Sequence, residues 1–392
     1  MLRRWLCLTA LIALAPKILF AQIPVYNDHI EDFKKLTAGV KSIPRLGTPC
    51  NIIVSGPDAF TIVNGASGGR IESAVAATIM GKGLVLTFGH EAYLSKNGLN
   101  SGDTLQLVLN AAKSTQTQQR KTRVAVYNSK DVAAILNSKG FLVQEFDKAG
   151  WAAQAKYYDA IVSNSALLGN GTDLNNILAF VRDGGVFISA VNGWGWQQTN
   201  TRTNPNLDLS TNMHHNVILR TTGLMYGRAY MGGFRPINES EIPLTNCQYA
   251  LQQLIDHRNK KAKLTAAQLD QYTGLLISAV QNVHPFDNVI RNRIDAVYEL
   301  TSTNIVPTEK NPITANDPIE RLALYIRSYD NVKLKEDEIV ANRASREFPG
   351  EAPRRAERVD RVINIDGDIP GWKSTGLWIN GGERVTVKIP ER

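Results

Sequence analysis

The apolar positions change their period twice along the first half of the chain. Ile30, Phe33, Leu36 and Val40 fall at helical spacing, which predicts an outer helix over Asp28 to Val40. Asn51 to Val54, Phe60 to Val63, Ile71 to Met80 and Leu84 to Phe88 are short apolar runs broken by Gly-rich turns. They predict a β-meander whose last two strands join as a hairpin through Gly81-Lys82-Gly83. From residue 100 the pattern alternates. Helices are expected over Asp103–Lys113, Ser129–Lys139 and Thr172–Arg182, and strands over Arg123–Tyr127, Leu142–Glu145, Ala160–Val162 and Val186–Ala190. Strands separated by such helices require right-handed crossovers and a mostly parallel sheet covered on both faces, so a flavodoxin-like α/β domain is expected.

Beyond Val191 the alternation stops, and Gln197 to His215 reads as a long polar loop. Helices are then expected over Thr245–Lys261, from the capping box Thr265-Ala-Ala-Gln268 to Asn282, over Phe286–Leu300, and from Asp317-Pro318-Ile319-Glu320 to Tyr329. Lys333 to Arg361 is dense in charge of both signs and predicts an exposed helix and linker. At the end Val385, Val387 and Ile389 alternate with Thr386 and Lys388 behind Asn380-Gly381-Gly382, the pattern of a β-hairpin.

Composition adds a compartment. Arg3 and Arg4 precede the apolar run Trp5 to Ala15, and Ala21 supplies a small residue for cleavage, as in a secretory signal peptide spanning residues 1–21. A secreted, periplasmic or cell-surface location follows as the expectation, with no integral membrane span in the mature chain. Removing that segment takes away three cations and no acid, so the formal charge of +8 becomes 41 − 36 = +5. This mildly basic balance is compatible with anionic glycans or membrane surfaces. No nucleic-acid reader is present in the pattern, so none is expected as a partner. In the mature chain Cys50 and Cys247 either join as a disulfide or each fill a small buried position.

Several polar groups fall at predicted strand ends, the edge at which open α/β sheets hold ligands: Ser55 and Asp58, His90 and Glu91, Asn128 and Ser129, Ser163 and Asn164, and Asn192 with Trp194 and Trp196. A His, a carboxylate and a Ser can make a base and a nucleophile, which marks His90, Glu91 and Ser163 as catalytic candidates. The structural alternative is that these residues only cap helices and close turns. Adjacent residues of an extended chain point to opposite sides, so His90 and Glu91 form no direct dyad unless the backbone turns between them. Trp194 and Trp196, two apart, would share one side of an extended chain and, with Asn192, form a sugar platform, unless one of them packs into the core. His90-Glu91-Ala-Tyr-Leu94 begins a His-Glu-x-x-His zinc motif and lacks its last ligand, and His214-His215 cannot supply two ligands to one ion. No metal ligand set and no cofactor are therefore assigned to this chain.

Two stretches resemble a known family. Gly81-Lys-Gly-Leu-Val-Leu-Thr-Phe-Gly-His-Glu-Ala-Tyr-Leu94 looks like part of the class I glutamine amidotransferase-like domain of the TRP-channel-associated factors and of enhancin-like, mucin-targeting zinc metallopeptidases, peptidase family M-sixty. The tail from Gly371-Trp372 through Gly376-Leu-Trp378-Ile-Asn-Gly381-Gly382 to Val387 resembles the β-rich opening of the metallopeptidase module in the same proteins. The resemblance implies an amidotransferase-like α/β domain over residues 22–235, a helical region over 236–335, a charged linker over 336–368, and in 369–392 a hairpin that begins a peptidase module. It also implies zinc, but only in a module beyond Arg392, and a glycoprotein or glycan partner. The Gly-x-Cys-x-Gly elbow of true glutamine amidotransferases is missing. The first expectation is thus a non-catalytic accessory or targeting region of an exported metallopeptidase acting on glycoproteins such as mucins. The alternatives are a free-standing hydrolase or amidotransferase-like enzyme using His90 with Glu91 or Ser163, and a glycan-binding module.

Overall fold

The computed structural model describes residues 25–115, 120–164, 167, 170–294, 305–314, 316–339, 341, 343–347, 350–353, 355–366, 368 and 370–389. The predicted signal peptide and the end of the helix expected to reach Leu300 lie outside the described residues. A first helix, α1 (Ile30–Leu36), leads to β1 (Cys50–Val54), β2 (Ala59–Ser67), β3 (Arg70–Met80) and β4 (Gly83–Phe88). The alternating part follows as α2 (Lys96–Leu99), α3 (Thr104–Lys113), β5 (Arg123–Tyr127), α4 (Lys130–Ser138), β6 (Leu142–Phe146), β7 (Ala160–Ser163), α5 (Gly171–Arg182) and β8 (Val186–Ala190). Then come α6 (Gly193–Thr201), α7 (Leu209–Asn212), α8 (His214–Thr222), β9 (Leu224–Tyr230), α9 (Cys247–Arg258), α10 (Ala266–Asn282), α11 (Ile290–Ile294) and α12 (Pro318–Asp330).

The nine strands make one sheet in the order β6-β5-β7-β8-β4-β3-β1-β9, with β2 on the other edge of β3. From β6 to β4 every pair is parallel, and the pairs of β3 and of β1 are antiparallel. The expected α/β class and mostly parallel sheet with a meander are therefore present. β4, β7, β8 and β5 after Arg123 read as near-continuous apolar runs because both of their faces are covered, whereas the edge strand β6 carries Gln144 and Glu145 and is only partly buried. Val124, Val126, Val162, Ile188 and Leu86 pack to one side with α1, α3 and α4. Ala125, Tyr127, Ile161, Phe187 and Val85 pack to the other with α5 and α8. Each fully buried Val, Ile or Phe here contributes roughly 1.5–3 kcal/mol of hydrophobic stabilisation.

β4 and β1 lie end to end along the same edge of β3. Gly89 N–H donates to Ala74 O at 3.1 Å, and Cys50 N–H donates to Gly89 O at 2.8 Å, so the end of β4 hands the edge to the start of β1. A third apolar cluster joins α9, α10, α11 and α12 to Ile53 and Met225. That helical layer is also pinned by a buried polar knot. Asn51 Nδ2 donates to Glu72, Ser278 Oγ of α10 donates to Glu72 Oε2 at 3.2 Å, and Asn51 Oδ1 accepts from Ala229 N of β9 at 3.0 Å. Burial pushes the Glu72 carboxyl above its ordinary pKa, against the hydrogen bonds from Asn51 and Ser278 and the charge of Arg70.

Three expectations change, and for the cysteines the buried alternative is the one found. The stretch from Gln197 to His215 is a loop only over residues 202–208; the rest forms the end of α6, α7 and the start of α8. Cys50 and Cys247 are both free thiols, buried in different clusters. The charged segment after Lys333 holds a single short 3-10 turn, Arg343–Arg346, and no longer helix among its described residues. The C-terminal hairpin forms its turn, with Glu383 N–H donating to Asn380 O at 3.2 Å, but its arms make no ladder. A lone two-stranded hairpin is marginal in water, and no strand of the sheet pairs with these arms.

Candidate functional site

The carboxyl ends of β4 and β8 are adjacent, since Phe88 and Ala190 are register partners. His90 leaves β4 in extended conformation and caps the 3-10 turn Glu91–Leu94, its Nδ1 accepting from Ala92 N at 3.1 Å. The backbone does turn here, and that turn brings Glu91 Oε2 to 3.6 Å from the same Nδ1. Accepting the Ala92 proton leaves Nδ1 as the unprotonated nitrogen, so Glu91 cannot orient the ring as the carboxylate of a catalytic dyad does.

The crevice beside His90 is occupied by the chain's own segment 44–50. Tyr93 Oη donates to Pro44 O at 2.9 Å and accepts from Leu46 N at 3.1 Å. Asn192 Nδ2 and Trp194 Nε1 both donate to Thr48 O, at 3.0 and 2.9 Å. Gly47, at φ +64°, lies over the imidazole; a Cβ there would fall 2.6 Å from His90 Nε2. Cys50 Sγ accepts from Gly193 N at 3.2 Å. Burial raises that thiol to about 12, against the lowering effect of the Gly193 N–H, so it stays protonated and inert at neutral pH.

The other candidates are equally built in. Ser163 sits inside the sheet, paired with Tyr127 and Ser189 and fully shielded from solvent. Asn164 Nδ2 donates to Leu94 O, Ser55 Oγ donates to Gly223 O at 3.2 Å, and Asp58 accepts from Asn27. The paired tryptophans are a correction. Because the chain is helical at α6, residues two apart point about 200° apart around the axis, so Trp194 and Trp196 do not form one platform. Trp194 instead meets Tyr230 edge to face at 5.0 Å. Zinc does not fit at His90 either: Nδ1 is engaged, and the position of a second His is the buried Leu94. Among the described residues no three His, Cys, Asp or Glu side chains are grouped as metal ligands. A separate depression of about 780 Å³ opens between Gly150 and the first turn of α5. Its polar wall serves the helix, with Asn170 and Asp173 forming a capping box.

The part of the chain that builds this edge, residues 9–233, matches the family described as TRPM8, N-terminal domain. The chain belongs to this family. A TRPM8 channel-associated factor homolog of Danio rerio is 23% identical over 384 residues, covering 94% of this chain and 39% of that protein. TRPM8 channel-associated factor 3 of Rattus norvegicus is 23% identical over 350 residues, covering 87% and 35%. The chain thus spans well under half the length of these family relatives. Among solved structures, IMPa from Pseudomonas aeruginosa in complex with an O-glycopeptide superposes with a TM-score of 0.46 at 15% identity, over 77% of this chain and 37% of the other. Within the family domain the sequence motifs contain Tyr93, Asn192 and Trp194, the side chains that hold segment 44–50. The segment itself is not legible in the sequence, because Thr48 and Pro44 take part through backbone carbonyls that carry no side-chain signal.

Proposed function

We propose that this chain is an exported, non-catalytic accessory region that directs an M-sixty-like zinc metallopeptidase to glycoproteins of the mucin type. The observation that carries the non-catalytic part is the filled crevice: residues 44–50 lie where an α/β enzyme would hold substrate, tied there by Tyr93, Asn192 and Trp194. Family membership and the resemblance of the tail to the opening of a peptidase module support the accessory role, and the N-terminal pattern supports export.

Incubating the chain with an O-glycosylated mucin peptide and with the same peptide deglycosylated tests this. Retention of the glycosylated form without cleavage is expected, and His90→Ala is expected to change retention by less than about twofold, since its ring contacts the chain's own loop. Hydrolysis of ester, amide or glutamine substrates that His90→Ala abolishes would overturn the reading, as would equal retention of both peptides.

A further inference from the structure

The amino ends of the five parallel strands gather cations from segments far apart in sequence. Leu84, Val186, Ala160, Val124 and Val143 begin the ladders in step, so the loops and helix ends before them line one edge about 19 Å wide. Lys113, Lys139 and Arg182 close α3, α4 and α5 there, where the helix dipole accounts for a cation. Lys82 in the β3–β4 turn, Arg120, Lys121 and Arg123 before and in β5, and Lys156 before β7 have no such account. All eight are exposed, and the same loops carry only the acids Asp159 and Asp183.

The contacts across the edge are direct. Lys82 N–H donates to Arg182 O at 3.0 Å, Asp159 N–H to Arg123 O at 2.8 Å, and Leu142 N–H to Thr122 O at 2.9 Å. Asp159 is already neutralised by a two-pronged pair with Arg120, at 2.7 and 2.6 Å. Among the described residues Lys82, Lys113, Lys121, Arg123, Lys139, Lys156 and Arg182 take part in no ion pair, so the surplus of the edge rests on these seven and not on Arg120. The segments that follow the carboxyl ends of the same strands carry both signs, Glu91, Asp131 and Asp147 with Lys96, Lys130 and Lys148. Two large apolar side chains stand among the cations half exposed, Leu142 at 50% and Tyr157 at 53%. Lys113 and Lys156 lie over the rings of Phe141 and Tyr157 at 5.3 and 5.2 Å.

We infer that this edge is a docking surface for an anionic lipid bilayer, with the cations on the headgroups and Leu142 and Tyr157 at the interface. Broadly spread flexible cations suit a plane of negative charge, and an exposed Tyr with an exposed Leu adds the apolar contact that a soluble polyanion does not use. The surface is separate from the filled crevice and does not depend on the proposed accessory role.

Sedimentation of the chain with vesicles of phosphatidylglycerol in phosphatidylcholine, against phosphatidylcholine alone, tests it. Binding to the anionic vesicles is expected at low salt and lost near 0.5 M, roughly where charges several Å apart are screened. Combined Lys82→Glu, Lys121→Glu and Lys139→Glu should weaken binding by at least about tenfold. Combined Lys261→Glu, Lys263→Glu and Lys310→Glu, the same change in net charge placed in the helical region, should leave it within about threefold. Equal loss in both triple variants, no preference for anionic vesicles, or binding to heparin or RNA with none to vesicles would each overturn the inference.

Discussion

His215 is buried in the first turn of α8 with Phe187 stacked at 6.4 Å and Tyr226 edge-on at 6.3 Å, and its Nε2 has no hydrogen-bond partner. Burial, helped by His214, lowers its pKa to about 3 from an ordinary 6.5. The unfolded chain therefore binds this proton between those values and the folded chain does not. Its contribution is full above the unfolded pKa and falls as pH drops toward 3, with a slope of about 1.4 kcal/mol per pH unit. His215→Phe should keep stability at pH 7 within about 1.5 kcal/mol and remove one proton's worth of acid sensitivity. Urea midpoints from pH 7 to pH 4 read this directly, and unchanged slopes in the variant would refute it. The adjacent His214 differs because its Nδ1 faces Leu167 O at 2.8 Å and the ring is only half buried. The sequence pair showed that two ligands to one ion were excluded; it did not show that one ring would be solvated and the other sealed.

At the scale of elements, local chemistry was readable where it was self-contained. The Thr265–Gln268 capping box opens α10 as expected, and β5, β7 and β8 begin at the predicted residues, because caps and apolar runs need only near neighbours. What was not readable depends on distant partners. α6 is Gly-Trp-Gly-Trp-Gln-Gln-Thr-Asn-Thr, with few helix formers, and is held by Asn192 accepting from Gly195 N and by the Trp194 bond to Thr48. β9 is broken in its pattern by Gly227, which is required because a Cβ there would lie 2.1 Å from Asn51 Oδ1. Asn246 shows what such long-range ties are worth. Its Oδ1 caps α9 by accepting from Gln248 N and Tyr249 N, and its Nδ2 donates to Gly56 O and Ala59 O at 2.8 Å each. Asn246→Ala is expected to cost upwards of about 3 kcal/mol, the cap plus two buried hydrogen bonds to backbone carbonyls. Thr265→Ala, at an exposed cap, should cost about 1 kcal/mol in the same chemical denaturation, and similar losses in the two would contradict the assignment.

At the scale of the whole molecule, apolar exposure is concentrated at one end. Trp372 is fully exposed, and Val362, Val387 and Ile389 nearly so, while the turn at Asn380 is fastened to the rest through Ala352 N–H. Removing residues 370–392 should leave the thermal midpoint of the sheet and helical layer within about 2 °C and lower the binding of an apolar dye, because these side chains belong to none of the three core clusters. A large fall in the midpoint would show that the tail supports the core. The end-to-end placement of β4 and β1 bears on a different property, the time the chain takes to become safe. β4 reaches β3 through a two-residue turn, whereas the outer edge of β1 is closed only by β9, with Cys50 opposite Tyr230. At a ribosome's pace of roughly 5–20 residues per second, that partner emerges some ten to forty seconds later. For that interval β1 is an open strand edge, so its exposure to mispairing is set by the clock of synthesis and not by the stability of the finished sheet.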